Sequence, residues 1–338
     1  MSFVIQEHIA LHDKNWFRTG GAARYFCQPK TGLEFQEALF FAQTHGLEIF
    51  VLGQGANVLI SDEGFDGLVI QPQNTDYTRL EAISNTMHLV TCGAGLTMDA
   101  LIEKTLADGL TGLEVFSGIP GTLGGSTFIN LHYFTHFLSD FIHKASVIKR
   151  STGEIFMVDA AWFTFGYNQS TLMNHEYYVI SVTLKLKKSS DTEVAYAQGR
   201  RYEIIRHRNS RYPTANTCGS FFRNFHEDEV SLISNNRKMI FIAFYLDKIG
   251  VKGVQEKGGA KVSWQHANML VNTGTATSQD IIDLARTLQI KVYREFGILP
   301  QPECLLIGFK TYPLVTAYEL SLLQQSPTLN HSAHQKTT

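Results

Sequence analysis

A mixed helix-and-strand protein of about two domains is what this sequence predicts, on three observations. Its 338 residues are about twice the length of a common domain. Apolar patterns of helical and of strand period occur in both halves. A polar run, Lys187-Lys188-Ser189-Ser190-Asp191-Thr192-Glu193, interrupts them and sets the expected boundary. One region is expected over residues 1–188 and a second over 189–310, with 311–338 read as a disordered tail because its last stretch, SPTLNHSAHQKTT, is polar.

The elements follow in order. Residues 33–46 read as a helix stopped by Gly46, and EIFVLG at 48–53 as a short strand that runs into a glycine turn. Met98, Leu101, Ile102, Thr105 and Leu106 fall on one helical face, and Gly109 stands where that helix ends. YYVISVTLKLK at 177–187 alternates and is β-branched, so it reads as a strand. The second region opens with a basic helical run over 193–209, then a glycine turn, then an amphipathic stretch around 238–247. NMLVNT at 268–273 reads as a strand. Thr277 and Asp280 have capping-box spacing before a helix that buries Ile281, Ile282, Ala285, Leu288 and Val292 and ends before Gly297. His132, His136 and His143, interleaved with Phe134, Phe137 and Phe141, read as one helix with mixed faces rather than a metal site.

Composition excludes whole classes. The chain is 44% hydrophobic and 18% charged, which is not the make-up of a disordered protein. Its 29 basic and 31 acidic residues leave a net charge of −2. Nothing there attracts nucleic acid or an anionic membrane in general, so an anionic ligand must be met by locally placed donors. The four cysteines are far apart with no CxxC pair, so no zinc ribbon or disulfide framework is expected and a reducing, cytoplasmic setting is. No metal-binding histidine pattern, secretory signal or membrane-spanning run is read.

Two glycine clusters are the main candidates for chemistry. The first is Gly53-Gln54-Gly55-Ala56-Asn57, after a strand; the second is Gly118-Ile119-Pro120-Gly121-Thr122-Leu123-Gly124-Gly125. Glycines let a backbone approach a ligand closely, and successive N–H groups form an anion-binding concavity. Either cluster alone reads as a tight turn. Two so near each other, with Asn57 and Thr122 interleaved, point to a pyrophosphate site. Neither is a dinucleotide GxGxxG with its helix, nor a P-loop. Arg18, in FRTGG, is either a phosphate partner or a surface residue. Ser220, in Cys218-Gly219-Ser220-Phe221-Phe222-Arg223-Asn224, sits on a glycine turn between aromatics. It lacks the GxSxG setting of a nucleophile and reads as a turn hydroxyl or, in a dry pocket, a proton donor. Glu303, in Pro302-Glu303, is either a partly buried carboxylate or a solvated one.

In this order, NWFRTGGAARYF, VLGQGANVLISDEGFDGLVI, GLTGLEVFSGIPGTLGG, CGSFFRN, KGGAKVSWQHANMLVNTG and PECLLIGF resemble the UDP-N-acetylenolpyruvoylglucosamine reductases over roughly residues 15–309. The resemblance implies an α+β fold: a vanillyl-alcohol-oxidase-type FAD-binding region of two subdomains, followed by a C-terminal α/β substrate domain. It implies NADPH-driven reduction of a UDP-sugar enolpyruvyl ether through FAD, for peptidoglycan synthesis. By position, Ser220 matches the proton donor and Glu303 the second acid. Arg18, residues 53–57 and Gly118, Ile119, Pro120, Gly121, Thr122, Gly124 and Gly125 fall to FAD, and Tyr167, Arg223 and Asn224 to the substrate. Two departures are visible. Gly-Tyr-Arg of the family is Gly166-Tyr167-Asn168 here, an amide in place of a guanidinium. The family's Asn-x-Gly-Ala-Tyr-Gly segment is Asn130-Leu131-His132-Tyr133-Phe134-Thr135. These leave two alternatives beside the reductase: a weak or inactive flavoprotein of the same fold, and a different FAD oxidoreductase.

Overall fold

The computed structural model of the chain describes residues 3–234 and 236–325. The first half builds two sheets. In one, strands 5–10, 22–27, 65–70 and 48–51 lie side by side in that order, the outer pair antiparallel and the rest parallel. Helix α1 (Gly32–Thr44) packs on it through Phe35, Ala38, Leu39 and Ala42, with Thr31 accepting the Glu34 N–H at its start. The second sheet is antiparallel, in the order 155–159, 142–149, 177–188, 87–93, 77–82, with 110–111 added at one end of the long strand. That long strand, Tyr177–Lys188, is central because Val182, Leu184 and Leu186 give it a fully buried face.

Helix α2 (Met98–Ala107) buries Met98, Leu101, Ile102, Thr105 and Leu106, the face that the spacing predicts. Helix α3 (Leu123–Phe128) begins at Thr122. Between them and the next strand, the histidine-rich segment is not a helix. His132–Tyr133 and His136–Phe137 pair as a hairpin, and His143 lies in the strand 142–149. Phe134 at the hairpin tip has φ +51, a backbone state that a helix does not contain. The aromatic residues favour strands as readily as helices, so their four- and seven-residue spacing carried no helical information.

The boundary expected after residue 188 also moves. The polar run there caps helix α4 (Asp191–Arg211): Ser190 accepts the Glu193 N–H and the Glu193 carboxylate accepts the Ser190 N–H. Helix α4 then lies on the first half. Ala197 joins the core of the second sheet, and Arg201 reaches Asp99 and Glu103 of α2 at 2.9 Å each. The change of core falls after Arg211.

The remaining chain packs its own core from helix α5 (Ile242–Lys248), helix α6 (Ser278–Phe296) and a small antiparallel sheet of 256–257, 260–262 and 270–272. Helix α6 has the expected Thr277–Asp280 capping box and stops at Gly297, φ +72. The tail expected from 311 onward is folded over its first part. Leu314 is fully buried in this core, Val315 donates its N–H to the buried Gln289 side chain, and helix α7 (Ala317–Gln325) pairs Glu319 with Arg286 at 2.9 Å. Three apolar residues before the polar stretch, Leu314, Val315 and Leu320, are enough to anchor it; residues 326–338 lie outside the described ones. The two halves meet through strand 305–307, which pairs in parallel with 58–60, while Phe17 and Leu59 enter the C-terminal core.

Candidate active site

Both glycine clusters face one cavity of about 640 Å³ that runs between the two sheets and the C-terminal half, a size that suits a small-molecule ligand. Residues 53–57 leave the end of strand 48–51, where Leu52 still donates to Ile70. Gly55 then turns back on the segment 14–16: its carbonyl accepts the Trp16 N–H, and with φ +67 a Cβ there would sit 2.5 Å from the backbone of Asn15. Gly53 brings the clusters together, because a Cβ on it would lie 2.6 Å from the Thr122 hydroxyl. Gln54 completes the link by accepting the Gly121 N–H at 2.7 Å. Among the described residues, the N–H groups of Gly53 through Asn57 have no protein acceptor. Five consecutive unspent donors on a cavity wall are the chemistry of an anion cradle, and the residues therefore fit the pyrophosphate of a dinucleotide cofactor.

In the same cavity Ser220 and Glu303 sit on adjoining extended segments. Ser220 bridges Met269 and Phe222 bridges Pro302. The Glu303 N–H donates to Phe221 and the Arg223 N–H to Gln301, both within 2.9 Å. Asn268 locks the set, its side chain accepting the Phe222 N–H at 3.0 Å and donating to the Phe222 carbonyl at 2.7 Å. The turn that aims Ser220 is made at Gly219, φ +79, and Phe221 and Phe222 behind it are fully buried. The segment also touches the cofactor loop, since Leu305 donates to the Asn57 carbonyl at 3.0 Å and the Asn57 amide reaches the Glu303 carbonyl at 3.4 Å.

Burial pushes the Glu303 carboxyl up to about 7, and a hydrogen bond from the Asn168 amide works the other way. Asn168 sits with φ +50 in the tight turn closed by Gly166 and Gln169, which the Asn130 amide holds by donating to the Gly166 carbonyl at 3.0 Å. A carboxyl near 7 is available as an acid or a base at neutral pH.

The expected residues separate into groups. Residues 53–57, the expected residues of 118–125, Ser220 and Glu303 all line the cavity. Arg18 does not: it is exposed in the turn before Gly20, with φ +58 and its N–H on Asn15. Local turn geometry leaves it at the surface, outside this lining. Tyr167, Arg223 and Asn224 cluster outside the lining. The Asn224 amide donates to the Tyr167 hydroxyl at 3.4 Å, the His132 ring packs at a tilt against Tyr167 at 4.5 Å between centroids, and both ends of the Arg223 guanidinium are taken by Glu229 at 2.7 Å. The structure adds wall residues that the sequence does not single out, Arg208, Tyr212 and His266. The only signal for Arg208 was membership of a basic run. Among the described residues no group of three His, Cys, Asp or Glu is placed to hold a metal, and no helix is long and apolar enough to cross a membrane.

Residues 23–159 match the family described as FAD binding domain, and residues 211–307 match the C-terminal domain of UDP-N-acetylenolpyruvoylglucosamine reductase. The reductase of that name from a Synechococcus strain is 31% identical over 94% of this chain and 95% of its own length. The one from Trichormus variabilis is 32% identical over 86% of this chain and 83% of its own. The crystal structure of the Thermus caldophilus enzyme superposes with a TM-score of 0.71 at 25% identity, covering 90% of this chain and all of that one. With both halves matched and the glycine loops, Ser220 and Glu303 lining one cavity, this chain belongs to the UDP-N-acetylenolpyruvoylglucosamine reductase family.

Proposed function

We propose that this chain reduces the enolpyruvyl ether of UDP-N-acetylglucosamine to UDP-N-acetylmuramate, a peptidoglycan precursor, with NADPH as reductant and FAD as resident cofactor. FAD, when bound, supplies a hydride acceptor that NADPH fills and the enolpyruvyl double bond empties. The chain's own residues do the rest. The N–H groups of residues 53–57, with Thr122 and the Gly118–Gly125 turn beside them, hold the cofactor's pyrophosphate. Ser220 donates the proton to the carbon next to the one that receives hydride. Charge builds on the substrate carboxylate side during that step and needs hydrogen-bond donors placed in advance; Asn168 and the protonated fraction of Glu303 are such donors. Phe221 and Phe222 keep the back of the Ser220 turn free of water. Tyr167, Asn224 and Arg223 stand next to this wall and are proposed to contact the substrate's outer part.

The observation that carries the reading is that Ser220 and Glu303, from separate segments, line the same cavity as the unspent N–H groups of residues 53–57. A protein that only stored flavin has no use for a positioned hydroxyl and a carboxyl near 7. The four free, buried cysteines suit a cytoplasmic setting, and a net charge of −2 gives no general attraction for nucleic acid. The test is anaerobic. NADPH is expected to bleach the yellow protein, and the enolpyruvyl substrate to restore the colour. Bleaching without recovery would favour a different oxidoreductase of this fold.

A further inference from the structure

Arg208 is the one Lys or Arg among the described residues lining the cavity, and Glu303 the one carboxylate. The three histidines on the wall, His132, His175 and His266, are each held toward the neutral form by burial. The cavity therefore carries a single positive charge at neutral pH, and it must admit ligands whose diphosphates carry about two negative charges. No Asp or Glu among the described residues pairs with Arg208. Its Nε donates to the Gly118 carbonyl at 3.2 Å, and its guanidinium lies over the rings of Tyr133 and Tyr212, 5.6 and 5.2 Å from their centroids. The other cations with described ion pairs, Arg201 and Arg223 among them, are spent on surface or rim carboxylates.

We propose that Arg208 is the residue that receives the diphosphate of a nucleotide bound in this cavity. Two aromatic faces, one backbone carbonyl and a hydrogen bond to the Tyr133 side chain fix the plane of the guanidinium, whose remaining N–H groups are available to an oxyanion. A fork already ordered loses little freedom on binding, and its two parallel N–H bonds match a phosphate. The rings offset part of the cost of desolvating the cation, while an arginine stays charged where a lysine titrates. Without an anion, a half-buried charge with no carboxylate partner is unfavourable, so the ligand supplies what the fold omits. Gly118 opens the second glycine cluster, and the contact with its carbonyl sets the guanidinium beside the cradle described above.

The assignment rests on the FAD and UDP-sugar reading, which offers two sources for the diphosphate, and the experiment separates them. Dissociation constants are measured for FAD against FMN, which lacks the diphosphate, and for UDP against uridine, on the unsubstituted chain, Arg208→Gln and Arg208→Lys. Arg208→Gln is expected to weaken FAD or UDP by about tenfold to a hundredfold, the range of a charge-assisted contact, with FMN and uridine unchanged and Arg208→Lys in between. Loss for FAD alone assigns the cofactor as source; loss for UDP alone assigns the sugar nucleotide. Equal affinity for both in Arg208→Gln would overturn the proposal. So would an equal fall for FMN and uridine, which marks a strut between α4 and Gly118. A chain that binds UDP but takes up no FAD would overturn the functional reading and still let UDP decide on Arg208.

Discussion

Glu303 is where desolvation and hydrogen bonding pull against each other, and the balance has a measurable consequence. A free glutamate titrates near 4.5, whereas this one is raised to about 7. Between those values the folded chain binds more protons than the unfolded one, so stability falls as pH rises through the window. Glu303→Gln is therefore expected to raise the unfolding midpoint above pH 7, by up to about 3 kcal/mol, and to lose that advantage below pH 4.5. A gain independent of pH would show that the carboxyl is not held neutral. Asn168→Arg sets a cation beside the same carboxyl. It is expected to draw its titration down and to speed flavin reoxidation by the enolpyruvyl substrate, leaving NADPH bleaching nearly unchanged in stopped-flow traces. Slower reoxidation would mean that the amide is already the better partner. Ser220→Ala is expected to keep the bleaching step and to slow recovery by about 10²–10⁴-fold, with Ser220→Cys falling less; equal losses in both steps would reduce Ser220 to a turn residue. The local motifs of Ser220 and Glu303 left each open between a turn or solvated role and a buried one, and only the order of motifs along the chain singled them out; the structure adds that both line the cavity. A basic residue beside two glycines, as Arg18 is, looks the same whether its turn faces inward or outward, and here it is exposed. Arg208 left no mark, because its isolation from carboxylates exists only in three dimensions.

Secondary structure was most legible where a cap and an apolar face agree. Thr277 with Asp280, and the buried series Ile281 to Val292, locate α6 closely, and the Met98–Leu106 face does the same for α2, whose Thr97 cap the structure adds. Ser190 and Glu193 carry a capping box too, but they sit in a polar run that looks like a linker, and composition alone does not tell a cap from a loop. The hairpin at 132–137 escaped notice because its pairing partner lies a few residues away on a turn with no Asn-Gly or Asp-Gly signal. The glycine loops are read correctly as close-approach segments, and the structure says which backbone each approaches. Gly55→Ala introduces a Cβ 2.5 Å from the Asn15 backbone at φ +67, so the loop must shift. Flavin content after purification is expected to fall while the far-ultraviolet circular dichroism spectrum stays the same. Full flavin occupancy in that variant would remove residues 53–57 from the cofactor site.

At the scale of the whole molecule, the change from one core to the next falls after Arg211 rather than at the polar run after residue 188. Helix α4 belongs to the first half by packing, and the segment around Leu314 belongs to the second. Polar content hid both, since the apolar residues that decide them are few and lie among charges. Leu314→Ala empties a fully buried position in the C-terminal core and is expected to cost about 2–5 kcal/mol, read as a shift in the denaturant midpoint. A shift below about 0.5 kcal/mol is what a surface position gives, and it would return this segment to the tail.

The parallel pairing of 305–307 with 58–60 also sets a timetable for biosynthesis. The strand that completes the pair, and Glu303 just before it, are synthesised long after 58–60. Until then the early strand has an open edge, the kind of surface on which nascent chains misassociate. Residues 53–57 adjoin that edge, so a cofactor that arrives early finds a cradle with one wall absent. The cavity is finished only once residues 303–307 have joined the early strand, and flavin that arrives before then meets an incomplete site.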